Sequence, residues 1–140
     1  MNIPNLRSPG DTVGGLVHFG RMLDKIRLHA AGQLPADYLP NLGRGFDGRC
    51  TEFLRVPYPE VVARVKEGAG DEAVLEWCFQ QGRKPSVDEI EIWNAFMSKR
   101  GWRDASSDTL AERVAADARL AGRTDIQTFF DLIDAEEDRM

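Results

Sequence analysis

Arg21, Asp24, Lys25 and Arg27 place three cations and one carboxylate within seven consecutive residues. On a helix, residues three apart share a face, so Arg21, Asp24 and Arg27 form a ladder with Asp24 as its middle rung. Leu16, Phe19, Leu23 and Ile26 make an apolar stripe, and at about 100° per residue Arg27 projects close to Leu16, on the core side of that helix. A partly buried ladder needs its charges matched, because removing one partner of a buried pair costs roughly 3 to 5 kcal/mol. One carboxylate cannot serve two guanidinium groups and an ammonium. The missing anion is either a side chain from another helix, with Asp47 and Glu52 as candidates, or a phosphate or carboxylate ligand gripped by arginine through two parallel hydrogen bonds. The first makes the cluster an internal ion-pair network and the second makes it a binding site.

Other residues fit the same chemistry less directly. Gly14 and Gly15, placed in the first turn of the same helix, would expose backbone N–H groups of the kind that hold anions. Gly43, Gly45 and Gly48 satisfy the G-x-G-x-x-G spacing, but a dinucleotide site needs a strand before the glycines and a helix opening inside a βαβ unit. Here a helix and a proline-containing loop precede them, so the reading is a flexible turn whose Arg44 and Arg49 can still meet an anion. His18 and His29 stand on the order of 16 Å apart along a helix and cannot share a metal. Both fall opposite the apolar stripe, where solvent is expected. Trp77 and Trp93 lie on apolar stripes and read as core, whereas Trp102 sits beside Lys99, Arg100 and Arg103, suited to a cation–π contact.

The elements that position these groups are helical. Thr12 can cap a first helix running from near Val13 to Gly32. Residues 1–11, with Pro4 and Pro9, form an extended arm, and Gly32 to Gly45 is a long glycine- and proline-containing loop of the kind that is often functional. Further helices are expected over Phe46 to Arg55, from Pro59 to Lys66, and over Asp71 to Gln81. The next is opened by a Ser86/Glu89 capping box and ends at Arg100. Ser107 or Asp108 opens a helix ending at Gly122, and Thr124 with Gln127 caps the last, leaving residues 136–140 as a frayed acidic tail. No strand with a hairpin turn is expected. The fold class is therefore all-α: an irregular single-domain bundle of six or seven short helices spanning residues 1–140.

Composition narrows the function classes. A length of 140 residues with 42% hydrophobic and 29% charged residues suits one globular domain. A net charge of -5 argues against nucleic-acid binding, which needs concentrated Lys and Arg. The charge is segregated: residues 1–55 hold 7 Lys and Arg against 5 Asp and Glu (+2), and residues 56–140 hold 11 against 18 (-7). An anion-binding surface therefore belongs in the first part. Cys50 and Cys78 form no disulfide framework or metal-ligand pattern and read as reduced thiols. With no signal-peptide pattern and no long apolar run, a cytoplasmic location and no membrane partner are expected.

Leu6-Arg7-Ser8-Pro9, Gly14-Gly15, Arg21-x-x-Asp24-Lys25-x-Arg27, Phe46-Asp47, Phe53-Leu54 and Asp71-Glu72-x-Val74-Leu75-x-Trp77 together resemble an uncharacterised bacterial family, domain of unknown function 5069. The resemblance spans most of the chain. It implies a bacterial, cytosolic, helical protein, with Arg21, Asp24, Lys25 and Arg27 matching the family's hallmark, and it implies no activity or catalytic residue. The leading expectation is a non-enzymatic domain that binds a small anionic ligand or an acidic peptide segment through Arg21, Asp24, Lys25, Arg27, Gly14, Gly15, Arg44 and Arg49, with no cofactor and no metal. Two alternatives stand beside it. One is a small enzyme using Asp24 or a histidine as acid or base beside Arg21 and Arg27; the other is a structural protein–protein interaction module. Within the ladder, Arg27 is expected to be mainly structural and Arg21 mainly ligand-facing.

Overall fold

A computed structural model describes residues 1–140. Seven helices account for most of the chain: α1 (Phe19–Ala30), α2 (Phe46–Leu54), α3 (Tyr58–Lys66), α4 (Asp71–Gln81), α5 (Val87–Lys99), α6 (Ser107–Ala116) and α7 (Phe129–Glu136). Before α1 stands a small antiparallel hairpin of β1 (Thr12–Val13) and β2 (Leu16–Val17), and a 3-10 turn over Ala36–Asn41 occupies the middle of the long loop. The fold is a mostly α-helical single domain. No helix is long and apolar enough to cross a membrane.

The hairpin corrects the expected start of the first helix. Gly14 and Gly15 take φ values of 57° and 82°, the left-handed pair that tight hairpin turns require and helices exclude. Two adjacent glycines also disfavour helix by roughly 1 kcal/mol each, so the register of Leu16 and Val13 across a turn wins. Side chains of α5 hold the hairpin in place. Asn94 Oδ1 accepts from the Val17 amide at 3.1 Å, Asn94 Nδ2 donates to the Gly15 carbonyl at 2.7 Å, and Trp93 Nε1 donates to the Val17 carbonyl at 3.3 Å. Consequently Gly14 and Gly15 offer no helix N-terminus to an anion.

The helix that follows runs through the centre of the molecule. Nine of its twelve residues are buried, among them Phe19, Met22, Leu23 and Ile26 on the apolar side and Arg21, Asp24 and Lys25 on the polar side. Its apolar side joins a main core that includes Leu16, Leu54, Val61, Val74, Cys78, Trp93, Met97 and Phe130. A second cluster of Leu110, Leu120, Ile126, Leu132 and Ala135 lies under α6 and α7, and Ile3 and Leu6 pin the N-terminal arm to Leu28. Cys50 and Cys78 are free and buried.

Helix ends follow local chemistry. The Ser86/Glu89 capping box opens α5 as its sequence implies. α6 stops at Ala116 rather than Gly122, because the Asp117 carboxylate accepts the Arg119 amide at 2.9 Å and turns the chain. α7 is capped by Thr128, whose hydroxyl accepts the Asp131 amide at 3.1 Å, so Thr124 and Gln127 stand outside it. In the segment after α7 residues 138–140 are exposed, but Glu137 is only 3% exposed. Its burial is what completes the polar side of α1.

Candidate functional site

Three sets of partners meet that polar side. In the first, Arg7 of the N-terminal arm reaches Asp24 through Nε at 2.8 Å and Nη2 at 3.0 Å, and reaches Asp71 at the start of α4 through Nη1 at 2.9 Å. Arg27 donates to Asp71 at 2.8 Å and to Asp24 at 3.4 Å. Two carboxylates thus face two guanidinium groups, and hydrogen bonds from Arg7, then from Arg27, hold the Asp71 carboxyl below its ordinary range. The set is closed electrostatically and joins arm, α1 and α4.

In the second, Arg21 grips Glu137 with two parallel hydrogen bonds, Nη1 to Oε1 at 2.8 Å and Nη2 to Oε2 at 2.7 Å. Tyr38 of the 3-10 turn donates its hydroxyl to Oε2 at 2.7 Å, and Arg139 donates to Oε1 at 2.6 Å. Burial alone would raise the Glu137 carboxyl, but Arg21, helped by Tyr38 and Arg139, holds the group below its usual range.

The third set is the most enclosed. Asp47 is fully buried, with Oδ1 2.8 Å from His18 Nε2 and Oδ2 2.8 Å from Lys25 Nζ; the Gly43 amide also donates to Oδ2 at 3.2 Å. Burial pushes Asp47 upward, and His18 and Lys25 together bring it below the normal carboxylate value. For His18, 2% exposed, burial dominates and lowers the imidazole below its ordinary 6.5, opposed by Asp47 and assisted by Lys25 and Arg21. The ring is therefore neutral at pH 7. Its proton sits on Nε2, facing the carboxylate, which leaves Nδ1 a bare lone pair. Nδ1 is buried and has no hydrogen-bond partner in the protein. His18 itself joins β2 to α1 with φ 69°, a left-handed backbone that a non-glycine residue adopts at a cost.

The second and third sets border one cavity of about 530 Å³, between the N-terminal half of α1, the Gly32–Gly45 loop and the α6–α7 end of the molecule. That volume is within the range of small-molecule sites. Its wall carries seven cationic side chains, Arg21, Lys25, Arg44, Arg49, Arg100, Arg113 and Arg119, against three carboxylates, Asp37, Glu136 and Glu137. Tyr38, Phe46 and Phe129 supply aromatic surface. Arg100 and Arg119 pair with Asp104 and Asp117, and Arg113 lies 4.0 Å from Glu136. Arg44 and Arg49 are exposed and make no ion pair; Arg49 instead lies 5.2 Å over the Phe96 ring.

All three sets, from Arg7 to Glu137, fall within one family match covering residues 3–139. The chain belongs to the DUF5069 family. That family is described as a domain of unknown function. No curated protein matches the sequence.

Of the residues singled out in this DUF5069 sequence, Arg21, Lys25, Arg44 and Arg49 come together around the cavity, and Asp24, Arg27, Gly14 and Gly15 do not. The roles expected of the two arginines are reversed in burial. Arg21 is 4% exposed and tied to Glu137, whereas the Arg27 side chain is 36% exposed and shares its carboxylates with Arg7. Asp47 supplies the extra anion, but to Lys25 and His18 rather than to an arginine, and Glu52 is exposed at the surface. His18, expected in solvent, is in the wall; His29 is exposed. Asp24, locked between Arg7 and Arg27, lies outside the cavity. No set of three His, Cys, Asp or Glu side chains is grouped to hold a metal ion. Tyr38, Glu137, Arg100, Arg113 and Arg119 carried no local signal, since their relation to Arg21 arises only when chain segments distant in sequence meet.

Proposed function

We propose that this protein is a binding domain for a small anionic ligand, received in the cavity beside α1. The observation that carries the reading is the charge of the wall: seven cations against three carboxylates in a chain whose net charge is -5. A protein with an acidic average concentrates cations in a concave site at an electrostatic cost, and the field in such a cleft attracts counter-charges strongly. Arg44 and Arg49 are free to make the first contact, because neither is engaged by a carboxylate. Arg21 and Lys25, already matched by Glu137 and Asp47, provide a preorganised floor that needs no rearrangement of charge. The concave shape, the size of about 530 Å³ and the mixed aromatic and polar lining favour a small molecule over an extended acidic peptide.

Thermal denaturation with inorganic phosphate, sulfate and citrate tests the reading. A ligand at a hundredfold over its dissociation constant stabilises by about 2.7 kcal/mol, roughly a 10 °C rise in Tm for a chain of this length. The double variant Arg44→Ala/Arg49→Ala should keep the Tm of the unliganded protein within about 2 °C and lose most of the shift. If none of the three anions raises Tm, the anion-binding reading is abandoned.

A further inference from the structure

The cationic excess of the cavity wall shrinks once partners inside the protein are set against it. Glu137 matches Arg21 and Asp47 matches Lys25, while Arg100, Arg113 and Arg119 each have an acidic neighbour within 4.0 Å. Arg44 and Arg49 remain, both exposed and both lining the cavity. Asp37, exposed on the 3-10 turn, is the wall's one carboxylate without a cationic partner. Two unmatched cations suit one anionic group. A second acid on the same ligand would have to pull a cation from its present partner, and Asp37, Glu136 and Glu137 would repel it.

The surroundings of that single charge are aromatic. Phe46 and Arg49 stand three residues apart on α2, so the ring and the free guanidinium share a face of the helix. Phe46 meets Phe129 edge-on with centroids 6.4 Å apart, and Arg113 lies 5.9 Å from the Phe129 centroid. Tyr38, tied to Glu137 through its hydroxyl, adds a third ring. All three rings line the cavity and all are only partly buried, so carbon surface is open to a ligand there. A cavity of about 530 Å³ also holds far more than an inorganic oxyanion. Such an ion engages the arginines and leaves the rings in water. An acid attached to an aromatic ring engages both, because the ring removes apolar area from water and adds edge-to-face contacts.

We infer that the cavity takes aromatic monoacids: small molecules with one phosphate or carboxylate headgroup held by Arg44 and Arg49 and one aromatic ring packed against Phe46 and Phe129. The inference rests on the anion-binding reading and goes beyond it by naming the ligand class.

Pairs of compounds that differ by the ring test it, with isothermal titration of the full chain: phenyl phosphate against methyl phosphate, and benzoate against acetate. In at least one pair the aromatic member should bind about tenfold tighter, the scale of effect expected when a ring is packed among other rings. The pair that shows the preference identifies the headgroup. Benzene-1,4-dicarboxylate should gain less than about threefold over benzoate, since no unmatched cation awaits a second acid. Phe129→Leu keeps an apolar side chain in place and should shrink the preference severalfold. Because that variant can disturb the α6–α7 packing, the native protein is also read directly: bound phenyl phosphate or benzoate should give nuclear Overhauser contacts between its ring protons and those of Phe46 and Phe129. A preference below about threefold in both pairs, a tenfold gain from the second acid, or a bound ligand without those contacts overturns the inference and leaves the anion site standing. Binding of none of the five compounds overturns both.

Discussion

Arg21 and Arg27 lie on one helix, six residues apart, and their environments give them different energetic weights. Arg21 faces a carboxylate that is 3% exposed; removing its guanidinium leaves Glu137 buried with only Arg139 and Tyr38 to compensate. Arg21→Ala should therefore destabilise by about 3 kcal/mol, near the lower end for a broken buried pair. Arg27→Ala should cost about 1 kcal/mol, since Arg7 still holds both Asp24 and Asp71 and half-exposed pairs contribute little. Urea denaturation of the two variants measures the order directly, and equal losses would contradict this assignment. The double variant Arg21→Ala/Glu137→Ala should recover part of the loss, because it removes the unmatched charge along with its partner.

Helices α2 to α5 were readable from the sequence within a residue or so, because their punctuation is local: Pro59 and Gly68 around α3, Gly82 after α4, the Ser86/Glu89 box before α5. The start of α1 was not. A stripe through Leu16 and Phe19 continues with helical spacing across a turn that is not helical, and only the paired glycines hinted at the hairpin. Of the three ladder residues, Arg21 and Asp24 are buried while Arg27, which periodicity puts on the core side, is the most exposed, and the partners Glu137 and Asp71 lie 116 and 44 residues away from Arg21 and Arg27, beyond any periodicity argument. Gly82 shows how closely the elements fit. A Cβ there would overlap the carbonyl oxygens of Leu54 and Arg55 at the end of α2, where the next residue, Arg83, donates its amide to Leu54 at 3.0 Å and its Nε to Phe53 at 2.8 Å. Gly82→Ala should thus push the α4–α5 connection off α2 and lower stability by about 1 to 3 kcal/mol, as overpacking does. A change in Tm of less than about 1 °C would mean that the connection yields more easily than the packing implies.

Across the whole molecule, acidic and basic residues are sorted in space as well as in sequence. The C-terminal region, richer in carboxylates, nevertheless lends Arg100, Arg113 and Arg119 to the cavity, while its Glu137 reaches back to the more basic N-terminal part. The cavity is a product of chain closure rather than of any one segment. The Arg21–Glu137 pair joins positions 116 residues apart, and this has a consequence for the order of folding. During synthesis from the N-terminus, α1 and its hairpin can collapse onto α2 to α5 while Arg21 is still without a carboxylate, and Asp47 reaches Lys25 long before Glu137 leaves the ribosome. Long-range closure must overcome its entropy before its contacts return anything, so such pairs tend to form late. Stopped-flow refolding should accordingly show Arg21→Ala accelerating unfolding with little change in the folding rate, whereas Asp47→Asn should slow folding itself. A newborn chain would then hold its core before the cavity closes, and the Arg21–Glu137 pair would act as a keystone set in place late.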